Sequence, residues 1–290
     1  MDNAREVVRA GLIGSSIQGS RTPTMHMCEG AAQGLAYSYD ILDLDVISGP
    51  DMALGSLMNR LEAEGYAGVN VTHPCKQQVI PLLTELTADT RAIGAVNTVT
   101  FDNGKRVGRN TDWWGFAEAF RKGLPNAELD RVMLLGAGGA GAAVAFALTH
   151  LGAKEVVVSD IDAFKADTVV DRMNSSGTGT RFSVSVDFPR DLAASNGLVH
   201  TTPTGMAKYP GIALDPGLLS ERHWVSEVVY VPLETELVRD ARARGCRVLD
   251  GSGMAVFQAV RAFELFTGLP ANAQRMFLHF KEYEKAHAVT

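Results

Sequence analysis

Three glycines, Gly136, Gly138 and Gly141, have the spacing that cradles a pyrophosphate. The stretch Gly136-Ala137-Gly138-Gly139-Ala140-Gly141 follows the apolar run Arg131-Val132-Met133-Leu134-Leu135. It opens a segment of small and apolar residues reaching about Leu151. Where a strand runs into a helix in this way, the first glycine permits a tight turn and the second lets backbone approach the phosphates. The third allows close helix–sheet packing. The helix amino terminus then offers unsatisfied N–H groups and the positive end of a dipole. The next strand pattern, Glu155-Val156-Val157-Val158-Ser159-Asp160, ends on an acidic residue 19 positions after Gly141. A carboxylate there accepts hydrogen bonds from ribose hydroxyls and repels a 2′-phosphate, which favours NAD over NADP. Asp162 adds negative charge, no arginine lies nearby, and Lys165 is the one residue that could accommodate NADP. The competing structural role for Asp160 is to cap the following helix.

A second concentration of polar residues in apolar surroundings lies earlier in the chain. It comprises Asn70-Val71-Thr72-His73-Pro74-Cys75-Lys76, Gly94-Ala95-Val96-Asn97-Thr98 and Asn110-Thr111-Asp112. The composition limits what such residues could serve. With 27 basic and 33 acidic residues and no Lys/Arg-rich run, the chain is not expected to bind nucleic acid. Three scattered cysteines argue against a disulfide framework and against CxxC metal sites, and His26 and His73 lack ligand-like neighbours, so no metal is expected. The amino terminus has no apolar signal-peptide core. The longest mainly apolar run, Val132 to Leu148, holds four glycines and falls short of the roughly 18 residues of a membrane span. A cytoplasmic protein with no membrane partner is the expectation.

The elements that would position these residues alternate. Ala10–Gly14, Tyr37–Ile41 and Gly68–Thr72 read as strands, and Leu54, Leu57, Met58 and Leu61 as the apolar face of a helix closed by Gly65. Thr22-Pro23 reads as a helix start with Thr22 as its cap, Pro74 as another, and Asp102-Asn103-Gly104 as a hairpin turn. Trp113 to Leu124 is helical, and the βαβ unit around the glycines is extended by Gly197–Val199, Val228–Tyr230 and Arg247–Leu249. That alternation implies a parallel sheet with helices on both faces. Met254 to about Glu284 reads as mostly helical.

At residues 70–76, 93–98 and 110–115 the sequence resembles the shikimate dehydrogenase family, whose pattern NVTxPxK, IGAVNT and NTDxxG stands there. The resemblance continues through the glycine turn, Thr202-Pro203-Thr204-Gly205-Met206, Tyr230-Val231-Pro232 and Gly251-Ser252-Gly253-Met254 with Gln258, and so covers nearly the whole chain. It implies Lys76 as the acid/base that exchanges the hydroxyl proton of a secondary alcohol, with Asp112 orienting it. It also implies substrate contacts from Ser20, Thr22, Thr72, Asn97, Tyr230 and Gln258. The cofactor contacts implied are Gly136, Ala137, Gly138, Gly139, Ala140, Gly141, Asp160, Thr202, Pro203, Met206, Gly251 and Met254. Biosynthetic members carry Ser-x-Ser where this chain has Ser20-Arg21-Thr22; with Asp160, that resembles the NAD-linked quinate/shikimate branch. Two stretches depart from the family: where Asn is usual before the TPxGM motif this chain has Val199-His200-Thr201-Thr202, and Glu227 stands where Asp is common ahead of Tyr230.

The expected fold is α/β. A substrate-binding and catalytic domain is formed by residues 1–112 and 251–290, with the carboxy-terminal helices returning to it, and a Rossmann-like NAD-binding domain by residues 113–250. The expected activity is NAD-dependent, reversible oxidation of the C3 hydroxyl of quinate and/or shikimate by a monomer, homodimer or other homo-oligomer. An NADP-linked biosynthetic shikimate dehydrogenase and an aminoshikimate dehydrogenase are the close alternatives. A non-catalytic ligand sensor on the same fold is the alternative of a different class.

Overall fold

The computed structural model describes residues 7–47 and 53–287. By their internal packing, residues 1–111 with 258–290 form one compact unit, and residues 112–257 another. In chain order the first unit runs β1 (Val8–Gly14), α1 (Thr22–Ala32), β2 (Tyr37–Asp43), α2 (Leu54–Ala63) and β3 (Gly68–Val71). It continues with the short α3 (Cys75–Gln78), β4 (Glu85–Leu86), α4 (Ala88–Ile93), β5 (Thr98–Asp102) and β6 (Lys105–Arg109). These strands make one sheet in the order β2-β1-β3-β5-β6-β4. β1 is parallel to β2 and β3, whereas β5 is antiparallel to β3 and β6. The expected hairpin joins β5 to β6, with Asn103 and Gly104 both at positive φ, as a tight two-residue turn requires. The helix at Thr22 differs from expectation. Thr22 is its first residue and Arg21 occupies the cap position without a side-chain bond, while the Ser20 hydroxyl accepts the Thr22 N–H at 3.4 Å. Pro23 marked the start correctly, but the capping oxygen belongs to the serine two residues upstream.

The second unit contains α5 (Asp112–Gly123), β7 (Arg131–Leu135), α6 (Gly139–Leu151), β8 (Glu155–Ser159), α7 (Ala163–Ser175), β9 (Arg181–Val184) and α8 (Phe188–Ala193). It continues with β10 (Gly197–His200), β11 (Trp224–Glu227), α9 (Glu236–Ala243), β12 (Arg247–Leu249) and the start of α10 (Ser252–Thr267). Its sheet is fully parallel in the order β12-β11-β10-β7-β8-β9. That is the strand order of a dinucleotide-binding fold, which reverses direction between β7 and β10. Val228–Tyr230, expected to lie in a strand, instead follows β11. At the end of β11 the Glu227 carboxylate accepts the N–H groups of Val228 and Val229 at 2.8 and 2.9 Å, and the Val228 N–H also keeps a bond to the His200 carbonyl at 3.1 Å.

The carboxy-terminal helix α11 (Ala273–His287) packs on α1 in the first unit. Arg275 grips the buried Glu29 in two bonds of 2.6 and 2.7 Å. Burial opposes ionisation of Glu29, but Arg275, the Asn272 N–H and the Gln33 amide together hold its carboxyl below the usual range. His26, one turn earlier on α1, is enclosed among Tyr37, Tyr39, Phe263 and Phe266. Burial pushes its imidazole down to about 3, so the folded state takes up a proton far less readily than the unfolded chain does. Stability from this group is therefore complete above pH 6.5 and is lost progressively as pH falls toward 3. Between pH 6.5 and 5 the loss should be about 2 kcal/mol. In denaturant titrations, His26→Phe should be spared that part of the decline; parallel declines in the two proteins would exclude His26 as its source.

Candidate active site

The sheet of the first unit gathers the expected site residues at one edge. Gly14 ends β1, Thr72 and Lys76 follow β3, and Asn97 immediately precedes the antiparallel β5. Asn110-Thr111 follow β6. Ligands of open α/β sheets bind outside the carboxyl ends of parallel strands, the edge where β1, β2 and β3 terminate. Two side-chain networks hold this edge. Asn97 Oδ1 accepts the Thr111 N–H at 2.7 Å, and Asn97 Nδ2 donates to the Thr111 hydroxyl at 2.9 Å. Behind it Asn70 Nδ2 donates to Thr98 Oγ1, while Asn70 Oδ1 accepts from the Tyr39 hydroxyl at 2.7 Å.

Asp43, at the end of β2, organises the other side of the edge. Its carboxylate accepts the N–H groups of Ser16, Ile17 and Asp45 and the Gln18 amide, at 3.1 to 3.2 Å. Burial alone would raise its proton affinity, but these four donors hold the carboxyl below its usual range. The loop so fixed leads to Ser20 and the buried Thr22. Sequence reasoning passed over Asp43; an acidic residue closing an otherwise alternating strand was the available signal. Lys76 is half-buried on α3, and its carbonyl accepts the Val96 N–H at 2.8 Å. Gln258 lies on the face of α10 that also carries Ala262 and Phe266, both packed in the core of the first unit.

In the second unit the glycine turn joins β7 to α6. Gly136 has φ +107°, and a Cβ there would press on Thr201 and Thr202. A Cβ on Gly141 would collide with the Gly136 carbonyl oxygen, so turn and helix touch directly. Gly138 differs: its backbone is extended, and a Cβ would meet nothing within 4 Å. The protein's own packing does not require glycine there, and the open space beside it leaves room for a group approaching the turn. No side chain caps the start of α6, and no acidic residue lies in its first turn, which leaves its amino end suited to an anion.

Asp160 Oδ2 accepts the Ala137 N–H of this turn at 2.7 Å, and Oδ1 accepts the Asp162 N–H at 2.9 Å. The cap of α7 is Asp162, through Phe164 N, and not Asp160. Each Asp160 oxygen keeps acceptor capacity for a ribose hydroxyl. Lys165 lies 3.6 Å from Asp162 at the surface. Thr202, Pro203 and Met206 follow β10, and Thr201 Oγ1 ties that strand end to the Gly136 carbonyl at 2.9 Å. Tyr230 follows β11, half-buried. Gly251 and Met254 stand at the start of α10, where a Cβ on Gly251 would strike the carbonyl oxygens of Val228 and Val229. A cavity of about 320 Å³ opens between Gly205-Met206, Val231-Pro232, Thr235 and Arg239. Asp112, the buried first residue of α5, belongs to this unit, and Lys76 to the other.

Residues 12–99 match the family described as the shikimate dehydrogenase substrate binding domain, and residues 251–276 the shikimate 5'-dehydrogenase C-terminal domain. A shikimate dehydrogenase (NADP(+)) of Arthrobacter sp. strain FB24 is 47% identical over the full length of both chains. The chain belongs to the shikimate dehydrogenase family. A family member from Corynebacterium glutamicum strain R, a quinate/shikimate dehydrogenase (NAD(+)), is 46% identical over 92% of this chain and 95% of its own. The solved quinate dehydrogenase of Corynebacterium glutamicum in complex with NAD superposes with a TM-score of 0.89. It is 43% identical and covers 95% of this chain and 99% of that one.

The openness around Gly138 makes a sharp expectation for this shikimate dehydrogenase family member. Gly138→Ala should leave stability within about 1 kcal/mol of wild type while weakening dinucleotide binding at least about tenfold. Thermal unfolding and calorimetric titration of NADH read the two effects separately. Undiminished NADH binding would remove Gly138 from the site.

Proposed function

We propose that this protein is an NAD-dependent dehydrogenase that reversibly oxidises the C3 hydroxyl of quinate and/or shikimate to 3-dehydroquinate or 3-dehydroshikimate. The observation that carries the cofactor assignment is the Asp160 carboxylate, bonded to the glycine turn at the end of β8. The names of the NAD-linked Corynebacterium relatives support the same choice. NAD(P)-linked relatives of both kinds stand at similar identity, so the local carboxylate decides between them. A 2′-phosphate would meet Asp160 and Asp162, and Lys165 is already paired with Asp162.

NAD, when bound, accepts the hydride leaving the substrate carbon. The chain supplies the rest. Lys76 Nζ takes the hydroxyl proton as the C–O bond becomes a carbonyl, and returns a proton in the reverse direction. Asp112 orients Lys76, whose neutral amine takes the proton and becomes the ammonium. Ser20 and Thr22 hold the substrate carboxylate, Thr22 keeping the hydroxyl of the usual serine while its methyl reshapes the pocket. Thr72, Asn97 and Gln258 meet the ring hydroxyls, and Tyr230 borders nicotinamide and substrate. The enzyme acts in the cytoplasm on a small molecule, without nucleic acid, as a monomer or homo-oligomer.

The test is turnover of quinate and of shikimate with each of NAD and NADP, followed by reduced-cofactor absorbance. NAD with at least one of the two alcohols should give the larger specificity constant. A larger constant with NADP would reassign the protein to the NADP-linked class, and silence with all four pairs would favour a sensor. Lys76→Ala should lower kcat by at least about 100-fold with little change in KM for NAD; retention within tenfold would remove Lys76 from the chemistry.

A further inference from the structure

Two buried ionisable side chains of the second unit, His200 and Glu227, touch each other. His200 ends β10, Glu227 ends β11, and the parallel register sets them side by side. Both are buried, with His200 Nδ1 2.8 Å from Glu227 Oε1. Glu227 Oε1 also accepts the Val228 and Val229 N–H groups, while Oε2 accepts the Thr235 hydroxyl at 3.1 Å. On the other side, His200 Nε2 lies 2.5 Å from the hydroxyl of Thr202. The chain of bonds thus runs from the α9 cap, Thr235, through two buried side chains to a half-buried threonine beside the glycine turn.

A carboxylate only accepts, so the imidazole proton facing Glu227 sits on Nδ1. In the neutral imidazole Nε2 is then an acceptor, and the Thr202 hydroxyl donates to it. Thr202 has then committed its only proton, and its oxygen, which also takes the Thr204 N–H at 3.3 Å, has only acceptor capacity left. Burying an imidazole and a carboxylate is costly where two apolar residues would fill the same space. In this fold the network ends on a loop that Thr201 binds to Gly136.

We propose that His200 and Glu227 are a positioning pair for the dinucleotide: they fix the Thr202 hydroxyl as an acceptor for a hydrogen-bond donor of the cofactor and hold the 202–206 loop against the glycine turn. This rests on assigning residues 136–141 to a dinucleotide. The effect of the His200–Glu227 pair then falls on the cofactor and not on the alcohol.

The experiment compares wild type, His200→Asn, Glu227→Asp, Thr202→Val and the double variant His200→Asn/Thr202→Val. Each is read by calorimetric NADH affinity, by KM for NAD and for the alcohol, and by thermal unfolding. His200→Asn keeps a polar side chain at the buried position, and thermal unfolding separates any loss of stability from a loss of cofactor affinity. Each single variant should weaken NADH binding and raise KM for NAD about tenfold, the loss of one hydrogen bond to a ligand, with KM for the alcohol changed less than about twofold. The double variant should be no worse than Thr202→Val, because both act through one hydroxyl. Unchanged NADH affinity in His200→Asn, or losses that multiply in the double variant, would overturn the pair's role. Failure of the wild type to bind NADH would overturn the dinucleotide assignment itself.

Discussion

Everything proposed for the second unit depends on one close approach, that of Gly141 to the carbonyl of Gly136. No side chain fits between them, so α6 starts directly against the end of β7. Its unsatisfied N–H groups are thereby delivered to the carboxyl edge of the sheet, at the reversal between β7 and β10. The bond from Ala137 to Asp160 and the bond from Thr201 to Gly136 then register the two neighbouring strand ends on that turn. The geometry of the turn is thus set by a backbone contact and by two side-chain bonds to backbone within the protein.

The first unit achieves rigidity differently. Its polar edge consists of side chains that would be costly to bury unpaired, and each is tied to a neighbour: Asn97 to Thr111, Asn70 to Thr98 and Tyr39, Asp43 to the Ser16–Gln18 loop. Buried networks of this kind fix where Thr72, Lys76 and Ser20 stand without necessarily touching substrate. Asn97 is a member of this network and is also one of the residues proposed to meet the substrate, so holding the edge and acting at it overlap there.

Much of this was legible in the sequence where the physics is local. The glycine turn, the acidic end of β8, the β5–β6 hairpin and the helix start at Pro23 each follow from a few adjacent residues. What escaped is long-range. Asp43 meets donors 25 to 27 residues away, and His200 meets Glu227 across 27 residues only because the strand register aligns them. Val228–Tyr230 has the composition of a strand, and that composition does not show that the preceding glutamate side chain takes the N–H groups of Val228 and Val229. β9 was missed because a four-residue edge strand with one deeply buried residue, Phe182, leaves a weak pattern. The division of packing at residue 257 falls inside the continuous helix α10, where no turn or linker residue marks it.

The claim that the Asp160 carboxylate, held on the glycine turn, selects the cofactor can be tested without any alcohol present. NADH and NADPH are titrated separately into wild type and Asp160→Ser, and the two affinities compared. Wild type should bind NADH at least about tenfold more tightly than NADPH, and the substitution should close most of that gap. Equal or tighter binding of NADPH by the wild type would contradict the account.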